Sequence, residues 1–429
     1  MRSQTRLISA EKFTGERLQK YTSLFSQINT QPLKGSVSKV GRPPVSPPSL
    51  LRALIYKNIR CFPSLTELVI ELKENPAIAQ RCGFDIRFNL PNVQRFSTFL
   101  RNTPNSLLQQ IRCDLLLQLV ELKEISGEYL ATDSCPIKAN VKENNLKTVV
   151  KDRFDKTKRP KGDPESRLGV IITFPNPNKK KIAYFWGYRN HIISDAISEL
   201  PVAEITKPAN VSETAIFIPQ CKDLQKTFHF PIKAITADSL LDSGTIIEFI
   251  AKELKAKPVI ARNPRANNGT NVTVSSKGIP ICAAGFEMLS RGKFRDKKQN
   301  RIRHKFICPI KGSKKFAKQH PYCPWMHPKF VDGNGCMTYL RVDVDESIRR
   351  SIDYGSQEFK KIYNLRTAAE RIFSRLLTIS MQEPTVRGLN ATANVCTIAH
   401  ITVLAVALTA VRNGQRDKIR FVKSLIPSL

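Results

Sequence analysis

The sequence predicts an α/β protein in which a mixed-sheet core follows a helical N-terminal segment and carries a β-rich insertion. Three observations predict this. Residues 1–120 show helical spacing and helix-start signals. From 121 onward, short β-branched and aromatic runs alternate with turn residues and helical stretches. Over 263–345 the texture becomes rich in Gly, Lys and Arg, with short alternating runs, before helical spacing returns. With 429 residues and 41% hydrophobic content, the chain can bury a substantial core across several domains.

In the first segment, Gly41-Arg42-Pro43-Pro44-Val45-Ser46-Pro47-Pro48 interrupts the chain and offers Pro48 or Ser49 as a helix start. Ser64 and Glu67 have capping-box spacing before Leu68. Asn89-Leu90-Pro91-Asn92 precedes a helix carrying Gln94, Arg95, Phe96 and Phe99. Arg52, Lys57, Arg60, Arg95 and Arg101 suit these helices either to a DNA duplex or to a bundle with solvated basic faces. In the second segment, Tyr129-Leu130-Ala131-Thr132 predicts a strand ending at Asp133. A basic loop spans 151–167, and two β-rich runs, 168–174 and 181–187, flank the turn Pro175-Asn176-Pro177-Asn178. A helix is expected from Ser212 or Glu213, then a strand over 233–237 that delivers Asp238. The stretch 395–411 is apolar but short for a membrane span, and it contains Thr397, His400, Thr402 and Thr409. It is expected to be a buried helix, with no membrane partner. The domains expected are 1–120 (helical, DNA-binding), 121–262 (first part of the core), 263–345 (basic insertion) and 346–429 (C-terminal helices of the core).

The 69 Lys+Arg against 36 Asp+Glu give a net charge of +33, a field that attracts polyanions. Nucleic acid is the expected partner, although a ribosome-associated protein can be equally basic. The N-terminus shows no apolar stretch of signal-peptide length, and the ten cysteines form no short-domain framework. A cytoplasmic, nucleoid-associated protein with reduced thiols is expected.

Asp133 and Asp238 each close an apolar run. Carboxylates at neighbouring strand ends can hold one divalent ion and share a second, as phosphodiester cleavage through Mg²⁺ or Mn²⁺ requires. Asp242 rivals Asp238 for the second position. Tyr363, Arg366 and Glu370 have the spacing of one helical face, with Ile362, Leu365, Ala369, Ile372, Phe373 and Leu376 as its apolar neighbour. Glu370 is then the third ligand, with Arg366 on a phosphate and Tyr363 beside the DNA backbone. Alternatively, this is a surface helix in which Arg366 pairs with Glu370. Cys308, Cys323 and Cys336 with His304, His320 and His327 are of zinc-ligand type, but they lack a Cys-x-x-Cys pair and read rather as thiols of a small β subdomain. Asp163 and Asp195 read as structural or helper groups.

In order along the chain, Tyr129-Leu130-Ala131-Thr132-Asp133-Ser134, Trp186-Gly187-Tyr188-Arg189-Asn190-His191, Leu200-Pro201-Val202, Pro208-Ala209-Asn210, Thr236-Ala237-Asp238-Ser239 and 366–376 resemble insertion-sequence transposases of the DDE type. The group resembled carries a tyrosine-arginine-glutamate-lysine signature, and Ser64–Leu100 is similar to its helical N-terminal domain. The resemblance implies a ribonuclease H-like core and a catalytic triad of Asp133, Asp238 and Glu370 on two Mg²⁺ ions. It further implies DNA contacts at Tyr363, Arg366, Arg375, Arg189 and His191. The partners it implies are double-stranded DNA, both element ends and target, and a second copy in the synaptic complex. Two positions depart from the pattern: Leu377 stands where the signature lysine falls, and Ser239-Leu240-Leu241-Asp242 replaces a glycine-tyrosine-aspartate run. A catalytically inactive DNA-binding descendant, or a nuclease that does not join strands, is the alternative.

Overall fold

The computed structural model describes residues 15–33, 45–176, 179–262, 273–275, 279–297, 301–341, 348, 351–379 and 381–422. Outside them lie residues 41–44 of the first expected break, 177–178 of the hairpin turn, the opening 263–272 of the insertion, 298–300 of its basic stretch, and Asp345, near which helical texture resumes. The chain forms two compact units, residues 1–236 with 364–429, and residues 237–363.

The first unit begins with helices α1 (Glu16–Ser26), α2 (Pro47–Ile59), α3 (Leu65–Glu74), α4 (Pro76–Cys82), α5 (Val93–Asn102) and α6 (Asn105–Glu121). Their starts follow local chemistry. Pro47 and Pro48 occupy the first turn of α2, where no amide hydrogen is needed. Ser64 Oγ accepts from the Glu67 amide at 3.1 Å, and Asn92 Oδ1 from the Arg95 amide at 3.1 Å.

The sheet of this unit contains β1 (Tyr129–Lys138), β2 (Arg167–Asn176), β3 (Lys179–Asp195), β4 (Leu200–Pro208) and β5 (Ala234–Ala237). β3 runs antiparallel to β2 over its first half and to β4 over its second, with β1 also antiparallel along Gly187–Asp195. Helix α7 (Glu213–Phe228) then returns the chain to β5, which lies parallel to β1 with Leu130 opposite Ile235. Three antiparallel strands (β4, β3, β1) followed by a parallel one reached through a helix form the mixed sheet of a ribonuclease H-like core.

One expectation needs correction. β1 does not end at Asp133; it continues to Lys138, and Asp133 pairs with Ile192 in mid-strand. The continuation is set by alternation, since Ala131, Cys135 and Ile137 are all buried while Ser134 and Pro136 between them are not.

Two further helices, α8 (Thr367–Thr378) and α9 (Leu389–Arg412), complete the unit. Helix α9 is long and apolar enough to cross a membrane, but 94% of its apolar window is buried inside the protein. Its hydroxyls are satisfied internally: Thr402 and Thr409 each donate to the carbonyl four residues back, at 2.7 Å. The N-terminal helices pack on α9, with Asn58 donating to Thr402 Oγ1 at 3.1 Å and Asn394 to the Leu100 and Thr103 carbonyls at 2.8 Å.

The second unit contains β6 (Lys257–Ile260), the pair β7 (Thr273–Val274) and β8 (Pro280–Ile281), and an antiparallel sheet in the order β11-β10-β9. In that sheet, β9 is Leu289–Asp296, β10 Arg301–Ile307 and β11 Met337–Arg341. Short helices over 309–312, 314–319 and 328–331 link β10 to β11, and a helix over Gln357–Asn364 closes the unit.

Candidate active site

Asp133 is half-buried on β1, which pairs with β3 past this position and with β5 only as far as Ala131, and its Oδ1 accepts from the Ser134 amide at 2.7 Å. Ser134 in turn donates to Glu213 Oε1 at 2.5 Å and accepts from Arg189 at 3.1 Å. Arg189 also donates to the Val170 carbonyl at 2.6 Å, which ties β2, β3 and β1 together. Glu213, in the first turn of α7, is a neighbour that the sequence did not single out. An acid in that position is a common helix-start residue, so nothing local distinguishes it.

His191 is opposite Ser134 on β3 and is only 3% exposed. Its Nε2 has no hydrogen-bond partner among the described residues. Burial, reinforced by the charges of Arg189 and Lys207, pushes its pKa down to about 4, so the ring is neutral at pH 7.

Asp238 is half-buried and immediately follows β5, with its Oδ1 accepting from the Leu240 amide at 2.8 Å. Here the expected strand end and the observed one agree. Asp242 closes the short 3₁₀ turn that Asp238 opens.

The structure corrects the expectation of one continuous helix through Tyr363, Arg366 and Glu370. The helix over 357–364 stops at Asn364, and α8 begins at Thr367. At the junction the Thr367 hydroxyl donates back to the Asn364 carbonyl at 2.9 Å. The Ala368 and Ala369 amides reach only three residues back, to Leu365 and Arg366. Tyr363 stacks on Phe359 within the second unit, at 5.9 Å between ring centroids. Arg366 and Glu370 remain one turn apart and form an ion pair at 2.7 Å, with the Glu370 side chain 51% exposed. Arg375 lies inside the first unit, its guanidinium directed at Glu199. Burial lowers its pKa to about 10, with Glu199 opposing the shift.

The three histidines singled out for zinc each serve a local purpose. His304 shares a hydrogen bond with Ser290 Oγ at 2.6 Å, His320 packs against Phe286 and Phe316, and His327 Nδ1 accepts from the Lys329 amide at 3.2 Å. The Cys336 thiol has Cys308 and Cys282 as neighbours; burial first, then those thiols, push its pKa up to about 12. Cys282 was not among the residues predicted from the sequence. No group of three or more His, Cys, Asp or Glu side chains, Asp133, Asp238 and Glu370 included, is gathered to hold a metal among the described residues.

Asp163 and Asp195 are saturated with structural hydrogen bonds. Asp163 accepts from Tyr188 Oη at 2.7 Å and the Gly388 amide at 3.0 Å. Asp195 accepts from the Gly127, Ile197 and Ser198 amides at 2.7–3.0 Å.

Residues 8–103 match the family described as Transposase domain (DUF772), and residues 156–407 match Transposase DDE domain. No curated protein matches the chain. Among solved structures the chain is similar to the piggyBac transposase synaptic complex with hairpin DNA, at 12% identity and a TM-score of 0.37, over 97% of this chain and 81% of that one. The match over residues 156–407 takes in more than half of the sequence, and the chain belongs to the DDE transposase family, DNA-cleaving and DNA-rejoining enzymes that generally work with divalent metal ions.

Proposed function

We propose that this transposase cuts phosphodiesters at the ends of its insertion sequence and joins the freed 3′-hydroxyls to target DNA, with Asp133, Asp238 and Glu370 as its metal ligands. The observation that carries this reading is the register of the two central strands. Ala131 of β1 stands opposite Thr236 of β5, and each aspartate comes two residues further along its strand direction. Asp238 and Glu370 fall inside the matched DDE segment, whereas Asp133 precedes it and rests on the strand register and the sequence resemblance.

Three carboxylates are hard oxygen donors, the type that suits Mg²⁺ or Mn²⁺ and disfavours softer metals. When bound, two such ions supply Lewis acidity at the attacking and leaving oxygens of an in-line displacement. The side chains have separable tasks. Asp133 is held in mid-strand opposite Ile192 of β3 and its Oδ1 accepts from the Ser134 amide, so its carboxylate needs little ordering before it can act. Glu370 pairs with Arg366, and of the two side chains the carboxylate is the more exposed, at 51% against 22%, so Glu370 is the member of the pair open to a cation. Exposed Arg60, Arg95 and Arg101 on the N-terminal helices, and Arg291, Lys293 and Arg295 on β9, supply charge for the DNA backbone. Joining two ends requires that they be held together, which calls for at least two copies of the chain.

To test this, Asp133→Ala and Glu370→Ala are assayed for Mg²⁺-dependent cleavage and for binding of element ends. Cleavage should be lost while binding persists; undiminished cleavage by either variant removes that residue from the triad. Cleavage by the unaltered protein without transfer products, when target DNA is supplied, would indicate a nuclease that does not join strands.

A further inference from the structure

The β3–β4 turn contains a group that the proposed chemistry does not use directly. Glu199, the last residue before β4, has φ +57, a left-handed conformation that non-glycine residues seldom adopt unless their surroundings impose it. Its surroundings are three arginines. Arg371 Nε lies 2.9 Å from one carboxylate oxygen and Arg420 Nη1 3.1 Å from the same oxygen, with Arg375 Nη2 4.0 Å from the other. Arg375 also donates to the Glu199 carbonyl, and Arg420 donates to the Ile197 and Ser198 carbonyls at 2.7 and 3.2 Å. The turn is fixed from the opposite side by Asp195, which accepts from the Ile197 and Ser198 amides.

Two of these arginines belong to α8, one turn apart, and Arg371 is the residue immediately after Glu370. The Glu199 side chain is only 11% exposed, and Arg375 only 14%. A buried cation of this kind needs an anion, and here the anion comes from the hairpin of the sheet. The helix bearing Glu370 is therefore tied to the β3–β4 turn at two points one helical turn apart, Arg371 and Arg375. The Arg366–Glu370 pair, by contrast, joins two residues one turn apart in the chain.

We propose that Glu199 is a positioning residue for Glu370: by binding Arg371, Arg375 and Arg420 it sets the orientation in which α8 presents that carboxylate. The proposal rests on the reading of Glu370 as a metal ligand. Groups that orient metal ligands from outside the coordination sphere typically change metal affinity or activity by about 10–100-fold when removed.

The experiment compares Glu199→Gln, which keeps the shape and removes the charge, with the unaltered protein. It measures Mn²⁺ binding by calorimetry without DNA, single-turnover cleavage at saturating element ends, and amide exchange over 367–378. Glu199→Gln should bind DNA ends normally, weaken Mn²⁺ binding and cleavage by about 10–100-fold, and speed exchange in α8. Glu199→Asp, which restores the charge, should recover part of the loss. Normal Mn²⁺ binding and cleavage in a folded Glu199→Gln protein would overturn the proposal. If that variant does not fold, Arg371→Gln and Arg420→Gln, whose side chains are 50% and 45% exposed, decide the matter. Unchanged Mn²⁺ binding in both would refute it. Full cleavage by Glu370→Ala would instead remove the ligand assignment, so the two failures are distinguishable.

Discussion

Replacing Asp163 by Ala should destabilise the first unit more than almost any other single polar change. The Asp163 residue is 1% exposed and joins three parts of the chain. Its Oδ1 accepts from Tyr188 Oη on β3 at 2.7 Å and from the Ser166 amide ahead of β2 at 3.3 Å. Its Oδ2 accepts from the Gly388 amide at the start of α9 at 3.0 Å. Burial, and next the bond to Asp163, push the Tyr188 phenol pKa upward, so that it stays a donor at all ordinary pH. Hydrogen bonds to a charged group contribute about 1.5–3 kcal/mol each, and removing the acceptor leaves a buried hydroxyl and amide unsatisfied. The bonds share one residue and are not additive; a loss of about 3–5 kcal/mol is expected. With a urea m-value of about 3 kcal/mol/M, the unfolding midpoint should fall by about 1–1.7 M. The assay is tryptophan fluorescence in a Trp325→Phe background, where Trp186, 1% exposed and two residues from Tyr188, reports on this unit. Tyr188→Phe added to Asp163→Ala should cost less than it does alone, because the orphaned hydroxyl goes with it. An Asp163→Ala midpoint within about 0.2 M of the unaltered protein would refute the reasoning.

Three further outcomes are expected. A Cβ at Gly187 would stand 2.1 Å from the Ile137 carbonyl oxygen and 2.9 Å from the Ala139 amide, so Gly187→Ala should force β1 and β3 apart and yield insoluble protein. Gly162→Ala, whose Cβ would meet nothing nearer than 3.7 Å, should remain soluble in the same expression trial. Burial depresses both His191 and His400 to about 4, below the unfolded value of about 6.5, so the unfolded chain binds these protons first. Their contribution is therefore complete above about pH 6.5 and is lost as pH falls toward 4; His400→Gln should flatten that limb in denaturation series taken from pH 7 to 4. Affinity for DNA should fall steeply with added salt, because a chain of net charge +33 displaces counterions from the phosphates. Binding that is flat between 50 and 200 mM salt would contradict that, as a titration by fluorescence anisotropy would show.

The parts of the fold that were legible in the sequence are those governed by neighbours in the chain. The Ser64 cap, the helix after the break at Asn92, α7 after Ser212 and the strand before Asp238 all depend on a few adjacent residues, whereas α2 begins at Pro47, just ahead of the expected Pro48 or Ser49. The length of β3 was not legible. Its second half contains Arg189, Asn190 and His191, which look like exposed motif residues, yet Asn190 is fully buried. It can be so because Asn190 donates to Glu204 at 2.7 Å and Thr206 at 3.0 Å on β4 and shares a hydrogen bond with His400 on α9. Partners so distant in sequence leave no periodic signal. The break before α8 was missed for a related reason: Leu365-Arg366 contains neither Gly nor Pro, and helical spacing continues across it. Glu199 had one usable signal, since Arg371 and Arg375 are separated by one turn with no acid between them to pair with, so their anion had to come from elsewhere.

The acids of this chain separate by the way they are satisfied, and that separation bears on which of them can hold a cation. Asp163, Asp195, Glu199 and Glu204 are all under 9% exposed. Amide hydrogens load the first two, arginines Glu199, and Gln109, Asn190 and Thr397 load Glu204. A divalent ion at any of these would have to replace several directed donors at once and leave them buried without acceptors, a cost of about 1–3 kcal/mol for each group. Asp133 and Asp238 are half-buried and Glu370 is exposed, with Arg366 as its ion-pair partner. Exchange of ligands is thus dear at the four acids that hold the sheet and its hairpin together. The consequence is testable: Asp163→Asn should lower stability while leaving the Mg²⁺ concentration needed for half-maximal cleavage unchanged in the folded fraction. Glu370→Gln should do the reverse, and a raised Mg²⁺ requirement in Asp163→Asn would break the distinction.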